Sequence, residues 1–98
     1  MAAYLVGQIR IHDREAYGRY EAGFFEIFSK YEGEFLAVHE GPVVLEGEWP
    51  YTRTVIIRFP SVEKLRLWYD SPEYQALAEH RRIASTGNVI LLEGLPSA

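Results

Sequence analysis

The sequence predicts an α+β domain whose elements run β-α-β-β-α-β, and three features carry that prediction. Strand-like alternation of apolar and polar residues appears over 4–11 and again over 54–59. After each of these stretches the apolar residues change to three- and four-residue spacing, first from Tyr17 to Tyr31 and then from Val62 to Arg81. Each helical stretch opens on a residue suited to capping: Asp13, Ser61 or Ser71.

In the first strand Leu5, Gly7, Ile9 and Ile11 point one way, and Tyr4, Val6, Gln8 and Arg10 the other. Asp13 caps the long helix that follows, and Glu15 sits in its first turn, where the macrodipole favours an anion. Tyr17, Tyr20, Phe24, Ile27, Phe28 and Tyr31 share one face of this helix, with Gly33 as its left-handed C-terminal residue. A second strand is expected over 35–39. It breaks at Gly41-Pro42, resumes over 43–45, and forms an irregular edge or a bulge, because proline donates nothing to a ladder. Residues 46–51 read as a loop.

The third strand, 54–59, turns Val55, Ile57 and Phe59 to one side and Thr54, Ile56 and Arg58 to the other. Ser61 starts a short helix with Val62, Leu65 and Trp68 inward. Ser71-Pro72-Glu73 starts another, with serine at the cap and proline at the first helical position. That helix gathers Tyr74, Leu77, Ala78 and Arg81, and a last strand is expected over 89–92.

This order calls for a ferredoxin-like, four-stranded antiparallel sheet with its helices on one face. Leu5, Ile9, Val55, Ile57 and Phe59 then face the helices. The other face, with Tyr4, Val6, Gln8, Arg10, Thr54, Ile56 and Arg58, is too apolar for plain solvent surface and too polar for plain core. Such a face marks an interface or a ligand site. Two copies packed sheet to sheet would form a homodimer and enclose Gln8, Arg10 and Arg58 in a shared cavity.

At 98 residues the chain has room for one core, so a single domain is expected over 1–98. Hydrophobic residues at 48% against charged residues at 24% exclude a disordered chain. A net charge of -4 gives no footprint for a phosphate backbone, and 54–59 lacks the aromatic motif of RNA-binding sheets, so nucleic acid is excluded as a partner. Cysteine is absent, which removes disulfides, thiolate nucleophiles and cysteine-held metals. No run approaches the ~20 apolar residues of a membrane span and the N-terminus does not read as a leader, so no membrane partner and a cytoplasmic location are expected.

Several segments resemble one family. Phe59-Pro60-Ser61, the run Trp68-Tyr69-Asp70-Ser71-Pro72-Glu73-Tyr74, Arg81, Tyr17 with Tyr20, Gly33 with Phe35-Leu36, and Glu46-Gly47 together are similar to the DUF1330 family of uncharacterised proteins. The resemblance spans nearly the whole chain and implies the dimeric α/β-barrel superfamily. That group includes cofactor-free monooxygenases, haem-dependent enzymes, isomerase-like proteins and proteins without known activity. Where the family commonly carries an Arg-Gly-Gly-like stretch after the second strand, Val38-His39-Glu40-Gly41 stands here, which removes any anion site built on that arginine.

The candidate site residues follow from their chemistry. Trp68, Tyr69 and Tyr74 are candidates to line an aromatic pocket over a flat ligand, with Arg81 fixing a carboxylate or enolate. The competing account makes Trp68 and Tyr74 ordinary core aromatics and pairs Arg81 with a nearby acid. His39, near Glu40 and Glu46 in sequence, is a candidate general base, and equally a solvated edge residue. Glu46 either bonds loop amides or faces the cavity, with Arg53 and Arg58 available to balance it as surface pairs. Tyr17 and Tyr20 are second-rank candidates at the cavity mouth.

Ser71 is better read as a cap than a nucleophile. His12 and His80 show no metal-ligand spacing, and His80 alone is weak support for haem, so no metal and no cofactor are expected. The function expected is that of a small-molecule-binding homodimer, extending to a cofactor-independent enzyme acting through Arg81, His39, Tyr69 and Tyr74 on an aromatic, enolic or carboxylate-bearing metabolite. The alternative is a non-catalytic ligand-sensing or protein-interaction module.

Overall fold

A computed structural model describes residues 1–96 and places seven elements along them. Strand β1 (Ala3–Ile11) leads to helix α1 (Arg14–Phe28) and then to strands β2 (Glu34–His39) and β3 (Arg53–Phe59). Helices α2 (Val62–Tyr69) and α3 (Pro72–Ala84) follow, and β4 (Ser85–Glu93) ends the fold. The strands form one antiparallel sheet in the order β2-β3-β1-β4, with the helices layered on one side. This is the ferredoxin-like arrangement that the element order predicts. Residues 97 and 98 of the expected domain lie outside the described residues.

The caps sit where the sequence puts them. Asp13 Oδ1 accepts the Ala16 amide at 3.0 Å, and Ser61 Oγ accepts that of Lys64 at 3.2 Å. Ser71 does two jobs: its Oγ accepts the Tyr74 amide at 3.2 Å, and its hydroxyl donates to the Trp68 carbonyl at 2.8 Å. One buried side chain thereby stitches the end of α2 to the start of α3.

Leu5, Ile9, Ile57 and Phe59 are buried beneath the helices, following the alternation read from β1 and β3. Trp68, only 1% exposed, stacks on Phe59 with centroids 5.5 Å apart and meets the edges of Phe24 and Phe28. The opposite sheet face carries no helix, but the loop before β3 reaches it, where Trp49 Nε1 donates to Thr54 Oγ1 at 3.0 Å and Arg10 to the Pro50 carbonyl at 2.9 Å. It exposes Leu36, Ile90 and Leu92, and the molecule is 16 Å thick in its thinnest direction, as a sheet with a single helical layer requires. Among the described residues no helix is long and apolar enough to cross a membrane.

Three expectations are corrected. Helix α1 stops at Phe28, and the chain leaves it through tightened bonds from the Lys30 amide to the Ile27 carbonyl and from the Tyr31 amide to the Phe28 carbonyl. Gly33 is not its left-handed cap, since among the described residues only Gly47 has a positive φ. Gly33 is required instead by crowding, because a Cβ there would lie 2.5 Å from the Phe59 ring and 2.6 Å from that of Phe28. In β2 the expected irregularity is present as a register shift between Phe35 and Ala37, but 43–45 stays in an exposed loop and does not resume the strand.

Strand β4 begins at Ser85, directly after α3 and four residues earlier than expected. The run Ser85-Thr86-Gly87-Asn88 has turn composition, yet it pairs with residues 8–11 of β1. Gly87 is needed there because a side chain would collide with the Gln8 carbonyl.

Candidate functional site

A cavity of about 420 Å³ lies between the sheet and the helices. Its floor is the inward face of the sheet, where Gly7 stands between Val55 of β3 and Val89 of β4. These three small residues in a row across neighbouring strands leave space that larger side chains would fill. The walls are aromatic, with Tyr17, Tyr20 and Phe24 from α1, Phe35 from β2, Trp68 from α2 and Tyr74 from α3. The exposed members of the lining, Glu21, Phe25 and Val38, belong to α1 and β2, so the cavity opens between that helix and the edge strand.

Polar groups collect near the start of α1 and β3 and the end of α3. Arg53 and Arg81 both line the cavity, in different electrostatic settings. Arg53, with a side chain 17% exposed, donates to Glu21 at 2.8 Å and lies 3.5 Å from Glu40. Glu40 also binds Arg14, and the Arg14 hydrogen bond holds its carboxyl below the usual range. Arg81 has no carboxylate partner among the described residues and lies over the Tyr20 ring at 5.7 Å, as Arg53 lies over Tyr17 at 5.6 Å.

The Tyr20 and Tyr74 hydroxyls are 2.7 Å apart and buried. Burial raises the pKa of both phenols, and that of Tyr17, above the ordinary value, Tyr20 furthest because Tyr74 adds to the effect. All three remain protonated near neutral pH and available as donors. Burial opposes the charge on Arg81, but neighbouring Tyr74, Tyr20 and Tyr69 outweigh it and keep the guanidinium pKa raised. The Trp68 Nε1 is buried without a hydrogen-bond partner among the described residues. The site thus joins an apolar, aromatic chamber to one unneutralised cation and several neutral donors. That combination accommodates an anion with a flat apolar body.

The candidates read from sequence divide into two groups. Trp68, Tyr74, Arg81, Tyr17 and Tyr20 all line this cavity. Tyr69 packs against Trp68 and Tyr74 from outside the lining, so Arg81, His39, Tyr69 and Tyr74 do not share one chamber. His39 is exposed on the edge strand opposite Thr54, on the open face, and its neighbour Glu40 is engaged by Arg14 and Arg53. Alternation separates it from Val38, which lines the cavity.

Glu46 is exposed in the loop, and Arg58 pairs with Glu34 at 3.4 Å. Arg10 donates to the Pro50 carbonyl at 2.9 Å. This cavity lies on the helix side of the sheet, away from the face bearing Gln8, Arg10 and Arg58. Two charged residues of the lining were not expected there: Arg53, read from sequence as a surface partner of Glu46, and Glu21. The signal for Arg53 was its phase, since a charge two residues before Val55 and four before Ile57 must point inward with them. Glu21 follows Tyr17 by one helical turn. No cluster of three or more His, Asp or Glu side chains able to hold a metal exists among the described residues.

Fold and cavity together define a ferredoxin-like α+β protein with an aromatic cavity between its sheet and its helices. The chain belongs to the DUF1330 family, a domain of unknown function, whose pattern it matches over residues 2–95. It is similar in structure to a protein of unknown function from Rhodopseudomonas palustris, at 19% identity and a TM-score of 0.78, covering 98% of this chain and 84% of that one. SnoaB, a cofactor-independent oxygenase from Streptomyces nogalater, aligns at 16% identity and a TM-score of 0.61 over 98% of this chain and 95% of its own. A dimeric protein of unknown function with a ferredoxin-like fold, from Bacteroides fragilis, aligns at 10% identity and a TM-score of 0.63, covering 95% and 96%. No curated protein matches the sequence.

Proposed function

We propose that this chain is a single-domain, cytoplasmic homodimer that binds a small aromatic or enolic anion in the cavity between sheet and helices, without a cofactor. The observation that carries this reading is Arg81, a half-buried cation without a carboxylate partner among the described residues, set against Tyr20 and Tyr74 in a largely aromatic chamber. A charge-assisted contact from Arg81 supplies orientation, and the aromatic walls supply apolar burial.

Calorimetric titration with naphthoate and with its uncharged methyl ester tests this. Naphthoate is expected to bind and the ester to bind at least tenfold more weakly. Arg81→Gln is expected to lower naphthoate affinity roughly 10- to 100-fold, the loss of about 1.5–3 kcal/mol in hydrogen bonding to a charged group. Equal affinities for acid and ester, or an unaffected Arg81→Gln variant with intact circular dichroism, would refute the reading.

Catalysis extends this reading. A cation and neutral phenol donors around a weakly acidic ligand lower its pKa and stabilise an enolate, the task such preorganised groups perform in enzymes. The likeness to a cofactor-independent oxygenase supports this extension. A non-catalytic role is favoured by a different observation: among the described residues the only carboxylate in the lining, Glu21, is held by Arg53, which leaves no free base there. Oxygen uptake with a panel of quinols and enols separates the two, since turnover lost in Arg81→Gln belongs to an enzyme and saturable binding without turnover to a sensor.

A further inference from the structure

The cavity contains two guanidinium groups, and the described residues supply an anion for only one of them. Arg53 and Arg81 stand at the ends of a tyrosine row: Arg53 over Tyr17, Tyr17 and Tyr20 with centroids 5.5 Å apart, and Arg81 over Tyr20. Glu21 lines the same cavity and accepts from Arg53 at 2.8 Å, while Glu40 approaches Arg53 from outside the lining at 3.5 Å. We infer that Glu21 is a specificity-determining residue, which occupies the second anion position of the cavity and so restricts it to ligands with a single anionic group. The inference rests on the proposed binding of an anion at Arg81.

The physical basis is charge balance. With Arg53 neutralised, the lining carries one net positive charge, and a monoanion at Arg81 completes it. A second anionic group on the same ligand would be directed along the tyrosine row toward Arg53. There it must displace the Glu21 carboxylate or lie beside it, and like charges in a partly buried site repel. Arg53 is the more buried partner, so it cannot leave the cavity as readily as Glu21, whose side chain is 46% exposed. Glu21 therefore works as an internal competitor: it holds Arg53 against the Tyr17 ring and denies it to a ligand.

The test compares naphthoate with naphthalenedicarboxylate on wild-type protein and on Glu21→Gln, by calorimetry, with circular dichroism as the check on fold. Wild type is expected to prefer the monoanion by roughly tenfold, a difference of about 1.4 kcal/mol. Glu21→Gln is expected to erase or invert that preference, through a gain in dicarboxylate affinity larger than any gain for naphthoate. Adding Arg53→Gln to Glu21→Gln is expected to remove the gain, which a merely structural role of Glu21 would not predict. An unchanged preference in folded Glu21→Gln, with naphthoate still bound, overturns this inference alone. Wild-type protein that binds neither acid overturns the underlying reading of Arg81 and this inference with it.

Discussion

Ser71 illustrates how much a single residue settles. As a hydroxyl beside an aromatic run it invites a nucleophilic role, yet its oxygen is committed to the Tyr74 amide and its proton to the Trp68 carbonyl. Ser71→Ala is expected to cost about 0.5–2 kcal/mol, read as a lower melting temperature, with ligand affinity preserved. The buried phenols lead to a pH dependence. Tyr17, Tyr20 and Tyr74 have folded pKa values raised by burial above the unfolded value of about 10. A raised folded pKa contributes stability that is complete below the unfolded value and is lost as pH rises through the folded one. Melting temperature is therefore expected to hold up to about pH 10 and to fall above it, less steeply in Tyr74→Phe. A fall of equal slope in wild type and variant would remove Tyr74 from the account.

At the scale of elements, strands β1 and β3 were legible because period-two alternation assigns each residue a face. The helix starts were legible because Asp13, Ser61 and Ser71 each satisfy an amide that the helix cannot satisfy itself. The start of β4 was not legible. Residues 85–88 have turn composition, and what makes them a strand is the partner strand alongside, a non-local cause. Gly33 was misread for a similar reason: a glycine after a helix suggests a left-handed cap, whereas the rings of Phe59 and Phe28 exclude a side chain there.

The hollow itself is an element-level property, made by Gly7 between Val55 and Val89. A Cβ on Gly7 would meet Ile9 and Val55 at ordinary distances of 3.8 and 3.9 Å. Gly7→Val is accordingly expected to fold, with stability unchanged or slightly raised, and to lose at least tenfold in naphthoate affinity by filling the floor. Affinity equal to wild type in that variant would mean that the ligand sits elsewhere.

On the scale of the whole molecule, alternation identified two unlike sheet faces and could not say which of them bounds the cavity. The mixed face with Gln8, Arg10 and Arg58 suggested a chamber between two copies, whereas the packing of α1 and α3 over a floor of small residues puts the space on the helix side. Arg81 and Tyr74 were legible as site candidates from residue type and helical spacing. Arg53 was legible only by its phase with Val55 and Ile57, since its nearness to Glu46 in sequence points to a surface pair. The open face remains the surface on which the proposed homodimer would form, since it exposes Ile90 at 51% and Leu92 at 47% beside the shielded Val6 and Ile56. Ile90→Glu is expected to convert a dimer to a monomer in sedimentation experiments, and a wild-type protein already monomeric at high concentration would remove the homodimer from the proposal.

The central claim is that an anionic aromatic ligand occupies the chamber beneath the helices with its charge on Arg81, and a crystal structure of the naphthoate complex tests it most directly. The account predicts the carboxylate within hydrogen-bonding distance of the Arg81 guanidinium and the rings among Tyr20, Phe24, Trp68 and Tyr74. Naphthoate bound instead on the open face beside Gln8, Arg10 and Arg58, or an empty chamber at saturating concentration, would contradict it.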